Sequence, residues 1–397
     1  MEEEATAAMS AHLKILLWGM MTTALACGFL HHLVPPQVLN FERLHIFLFN
    51  LCSGGTILIH FTEGGKTLSR RGQLFLILAL AFALCAFFRW YLPTLLIPLL
   101  LAVIVERVRV NHFGRRLPVA LFSRAESTSR KFHQAALLCL SLGLLIASLA
   151  ILNSEYAHWF TLEKFKLDTF FLGFSFPLSL ISMSAIFSLM KRREVPSVFY
   201  LKELCFWVIN LGVIVFFLFI LANLFLPQVA IATTLFLAVT LILHLYWQQG
   251  ERSQQKAFLT SGMFFLLITS ITGILYILLA FSPAYDPRES LPLLRSHAFT
   301  ALYGWNLSGL AVISRHDDFP IRLHSRQVIM LHWLTVLVLC PLGYFYALAA
   351  VAAVLCYGRL LYLLLFSMGT IDPGVVAAEA LVLKKEAGSS AQSPKKR

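Results

Sequence analysis

"RLHIFLFNLCSGGTILIHFTEG", Arg43 to Gly64, begins with a cation, meets a histidine at position 45 and then runs apolar for about one bilayer crossing. Two other stretches share its outline. They are "KLDTFFLGFSFPLSLISMSAIFSLMKR" from Lys166 and "RSHAFTALYGWNLSGLAVISRH" from Arg295. In each, a polar residue stands two positions after the first cation: His45, Asp168 and His297, spaced by 123 and 129 residues. A polar side chain at membrane depth needs a partner, so a recurring one marks a designed position.

The chain around these stretches reads as an integral membrane protein. It has 397 residues, 58% hydrophobic and only 13% charged, with mean hydropathy +0.77. A soluble domain carries about 25% charged residues. Met1-Glu2-Glu3-Glu4 is acidic where a signal peptide is basic, so the first apolar run is expected to stay as an anchor. The formal charge of +12 sits in loops, where topology and anionic lipid account for it and nucleic acid is not required. None of the seven cysteines forms a C-x-x-C pair, which argues against a disulfide framework, a zinc ribbon and c-type haem attachment.

Windows of about 20 apolar residues give twelve expected spans: 15–34, 42–62, 72–91, 93–110, 133–153, 167–190, 203–225, 227–247, 257–281, 292–315, 327–345 and 346–367. Loops after even-numbered spans hold 19 Lys and Arg, against 6 after odd-numbered spans. The positive-inside rule then places both termini in the cytoplasm. The three related stretches are spans two, six and ten. The expected fold is therefore all-α, with three parallel four-helix repeats at residues 1–125, 126–252 and 253–370. Short outer loops with proline, "YLPT" and "LPQ", recur between the third and fourth spans of the first two repeats. Residues 371–397, ending in Ser-Pro-Lys-Lys-Arg, read as a polar, mostly disordered cytoplasmic tail.

His45 and His297 enter from the outer side at similar depth. If the repeats surround a common axis, their imidazoles can oppose each other across a gap and ligate a haem iron axially. Arg43 and Arg295, two residues further out, are then candidates to pair with haem propionates. Gly54, Gly55 and Gly304 would let a flat macrocycle approach the backbone, and Phe47, Phe49, Tyr303 and Trp305 would supply apolar walls. The alternative is an interfacial histidine bonded to a loop carbonyl, with a snorkelling arginine nearby.

Twelve spans, inside termini and histidines on spans two and ten resemble the catalytic subunit of haem-copper oxidases. They also resemble the twelve-span NnrS family, haem- and copper-containing proteins linked to nitric oxide metabolism. The resemblance rests on "RLHIFLFN" and "LRSHAFTALYGWNLSGLAVISRH". It implies His45 and His297 as ligands of haem b. It also implies a role in electron transfer or in nitric oxide- or oxygen-related redox chemistry or sensing, with an unknown redox partner, in a bacterial inner membrane. The oxidase tenth span has H-x-H, whereas this chain has His297-Ala298-Phe299. Spans six and seven lack the histidines of the oxidase copper site, so the resemblance implies at most one haem and no binuclear oxygen-reducing centre.

Other polar residues keep two readings each. His31-His32 is either a copper site or an interfacial pair. His60 with Glu63 is either a proton entry point or an interfacial pair. His244 and His332 read as polar contacts between helices. Glu106-Arg107 and Arg359 are expected to form an intramembrane ion pair. With Asp168 they support a rival reading as a transporter, for which Pro177 and Gly54-Gly55 are candidate helix breaks. No Walker motif, nucleophile elbow or H-E-x-x-H helix is present.

Overall fold

The computed structural model describes residues 9–35, 37–114, 116–159, 171–190, 196–250, 255–283, 285–315 and 326–367. Among them the chain is helical, with no strand beyond an isolated bridge between Met190 and Gly250. The principal helices are α1 (Ala11–Phe29), α2 (Phe41–Glu63), α3 (Arg70–Phe87), α4 (Tyr91–Phe113), α5 (Thr128–Ala157) and α6 (171–188). They continue with α7 (Pro196–Leu221), α8 (Phe225–Gln249), α9 (Gln255–Ala280), α10 (291–314), α11 (Arg326–Phe345) and α12 (Ala347–Phe366). Ten of them are long and apolar enough to cross a membrane; α6 and α10 are the exceptions. The described part of α6 is short, and α10 carries Arg295, His297 and Asn306 in its length.

Local chemistry sets several helix ends. Ser10, Ser69 and Ser127 cap α1, α3 and α5 by accepting from backbone N–H groups of the first turn. α3 and α4 meet at Phe88–Trp90, and α11 and α12 meet at Tyr346, so both junctions are nearly loopless.

α2, α6 and α10 pack on one another in the middle of the molecule, and most of the remaining helices pack in sequence around them, with α12 returning to α1. Of the ten apolar helices, α2 is the most deeply buried. Small residues bring the central helices together. Ser182 of α6 lies against Gly309 of α10, and Leu178 of α6 fills the space beside Gly54 of α2. Trp305 Nε1 donates to Ser179 Oγ at 2.7 Å, Ser179 Oγ donates to Asn306 Oδ1 at 3.1 Å, and Asn306 Nδ2 donates to Ser175 Oγ at 2.9 Å.

Each of the three central helices contains a π-helical stretch, Phe47–Gly55, Phe171–Ser175 and Thr300–Asn306, as do α5 at Asn153–Ala157 and α11 at Leu334–Leu339. The three central stretches begin two, three and three residues after His45, Asp168 and His297. π-helix accounts for well under 1% of residues and gathers at functional sites. The proposed breaks at Gly54-Gly55 and Pro177 are thus corrected. α2 runs unbroken through its glycines as a widened helix, and α6 runs on from its π stretch through Pro177 without a break.

Candidate functional site

His45 is 7% exposed, and neither of its ring nitrogens has a hydrogen-bond partner among the described residues. Its Nδ1 edge lies against Gly28 of α1 so closely that a Cβ there would stand 2.8 Å away. Its other neighbour is Tyr303 of α10, with ring centroids 6.0 Å apart. Tyr303 in turn packs on Phe49 at 4.8 Å and on Tyr357 of α12 at 5.1 Å. Both tyrosine hydroxyls are buried and unpartnered among the described residues. His332 of α11 donates through Nε2 to the Tyr303 carbonyl at 2.7 Å, which ties α11 to the π stretch of α10. The result is a buried cluster of packed aromatic rings and unpartnered polar atoms. Each such atom costs about 1–3 kcal/mol if nothing bonds to it.

His297 is oriented differently. Its ring lies against Gly273 of α9, its Nδ1 donates to the Thr269 carbonyl at 3.0 Å, and Thr272 Oγ1 is 3.2 Å away. Pinning one nitrogen to a backbone carbonyl fixes the tautomer and leaves Nε2 as an acceptor, the usual arrangement of a metal-ligating histidine. The two imidazoles address different neighbours: His45 faces α1 and Tyr303, and His297 faces α9.

The two arginines serve different places. Residues two apart on an α-helix point about 200° apart, so Arg43 looks away from His45. It lines a cavity with Arg89 and Glu155. Arg295 forms an ion pair with Glu42, donates through Nη2 to the Tyr344 hydroxyl at 3.2 Å, and lies 4.4 Å over the Tyr344 ring. This cluster joins α2, α10 and α11. Glu42 had not been singled out in the sequence, although it stands one turn before His45 and so shares its face.

His31 and His32 are occupied by backbone. His31 Nε2 donates to the Tyr344 carbonyl at 2.8 Å, and His32 Nε2 donates to the Gly343 carbonyl at 2.7 Å. They clamp the end of α1 to the end of α11, satisfying carbonyls that a helix C-terminus leaves open. No group of three or more His, Cys, Asp or Glu among the described residues is placed to hold a metal ion.

Three expectations need correction. Gly54, Gly55 and Gly304 admit Leu178, Phe75 and Phe265 from neighbouring helices, so protein side chains occupy the space expected for a macrocycle. Glu106 pairs with Arg109 of its own helix at 2.7 Å and accepts from Ser141 at 2.7 Å, while Arg107 and Arg359 are exposed. Glu106 and Arg109 stand three residues apart, where helix side chains meet. His244 bonds Gln248 of its own helix at 2.9 Å and so makes no helix-to-helix contact by that bond. Asp168 and Lys166 lie outside the described residues. Glu63 is held by Ser69 and by Arg71, the latter at 3.4 Å.

Among the described residues, the polar atoms left without a partner around His45 are its two ring nitrogens and the Tyr303 and Tyr357 hydroxyls. Compared with known proteins, the chain matches no family model, no curated protein and no solved structure.

Proposed function

We propose that this chain is a haem-binding integral membrane protein, with His45 as an axial ligand. The observation that carries the reading is the His45 imidazole, buried with both nitrogens unpartnered among the described residues. Gly28 occupies the Nδ1 side, so Nε2 is the nitrogen offered to iron. Phe49 and Tyr303 supply flat apolar contact. His297 is the second candidate ligand, at its own place against α9. Bound haem b would supply a redox-active iron able to carry an electron or take up a diatomic gas such as nitric oxide or oxygen. The chain's own part is to hold the imidazole in one orientation and to exclude water.

In this proposal the twelve helices are twelve spans in three parallel four-helix repeats, with both termini on the cytoplasmic side of a bacterial inner membrane. The three corresponding π stretches, the central packing of α2, α6 and α10, and the basic even-numbered loops support it. Labelling of single cysteines placed in the loops tests the topology. The functional test is an absorption spectrum of the purified protein, with and without dithionite. Because the rings face different helices, His45→Ala should remove the haem, and His297→Ala should leave it bound.

A further inference from the structure

We propose that the outer ends of α2, α3, α4 and α5 form a binding site for an anionic amphiphile, a single carboxylate or phosphate group on a hydrocarbon body. A cavity of about 240 Å³ lies between these helices. That is room for roughly eight water-sized groups. Its deeper part is apolar, made by Phe47, Phe82 and Ala147. Its outer part carries Arg43, Arg89 and Glu155. Arg43 is within electrostatic reach of both Arg89 and Glu155. Two guanidinium groups against one carboxylate leave the cavity mouth with a net positive charge, and guanidinium suits carboxylate and phosphate.

The backbone adds an independent observation. Arg89 has φ 60°, in the left-handed region. Trp90 N–H donates to the Cys85 carbonyl at 2.8 Å, which closes the end of α3 around it. Glycine takes this position without penalty and is the usual residue there. An arginine held in that conformation places a cation at the cavity at the expense of backbone comfort, and strain of this kind gathers at ligand clamps. The site does not depend on haem, because Arg43 faces away from His45.

The test is thermal unfolding of the full-length protein in neutral detergent. The probes are hexanoate against hexan-1-ol, and phosphatidylglycerol against phosphatidylcholine. Wild type should be stabilised saturably by an anionic probe and not by its neutral counterpart. Stabilisation by phosphatidylglycerol alone assigns the site to a lipid headgroup; stabilisation by hexanoate alone assigns it to a free carboxylate. Arg89→Gly should melt no lower than wild type without ligand, because glycine suits the backbone there, and should bind about tenfold more weakly or worse. Arg43→Gln should lose affinity similarly. Equal response to charged and neutral probes would overturn the proposal, as would wild-type affinity in both variants.

Discussion

Replacing Gly28 by alanine should disturb His45 and little else. The added Cβ would stand 2.8 Å from His45 Nδ1, with the next ring atoms at 3.5 Å. Ordinary contact begins near 3.4 Å, so the ring or α1 must yield by roughly half an ångström. Tyr303 backs the ring on another side. Overpacking of this kind costs about 1–3 kcal/mol. Gly19 on the same helix provides the control, because nothing lies within 4 Å of its Cβ position. There alanine should stabilise by about 0.5–1 kcal/mol through helix propensity alone. Unfolding by SDS titration in mixed micelles measures both variants. A double-mutant cycle with His45→Ala then isolates the steric pair, and the Gly28→Ala penalty should vanish once the imidazole is gone. If Gly28→Ala is as benign as Gly19→Ala, or if its penalty persists without His45, the packing described for this histidine is wrong.

Other consequences follow from the buried polar contacts. Lys131 is 1% exposed and pairs with Glu203, which also accepts from Thr128; Glu203→Gln should therefore cost about 3–5 kcal/mol in the same unfolding assay, and replacing both ions by apolar residues of similar size should cost far less. Arg109→Met should destabilise strongly, since the 2%-exposed guanidinium holds Glu106 and the Arg116 carbonyl, whereas exposed Arg359→Ala should stay within about 0.5 kcal/mol of wild type. Ser179→Ala strands the Trp305 indole N–H between α6 and α10 and should cost about 1–3 kcal/mol.

Much of the helical layout was legible because bilayer crossing demands long apolar runs, and serine caps punctuate them. The Glu106–Arg109 pair was legible too, from three-residue helix spacing, and the expected partner at Arg359 overlooked that closer cation. The opposed directions of Arg43 and His45 likewise follow from 100° per residue. The π stretches were not legible, because a shift to i→i+5 bonding leaves no mark in composition. Nor were the fillers of Gly54, Gly55 and Gly304, since Leu178, Phe75 and Phe265 come from other helices. The histidine positions stood out in the sequence, but their directions depend on Gly28 and Thr269, each on the helix before.

The most direct measurement is a pyridine haemochrome assay with oxidised and reduced spectra of the detergent-purified protein, expressed with haem supplied, beside His45→Ala and His297→Ala. The account predicts a Soret band near one haem per chain, lost in His45→Ala and retained in His297→Ala, with carbon monoxide shifting the reduced wild-type band. A colourless wild-type protein, or a Soret band indifferent to His45→Ala, would contradict it.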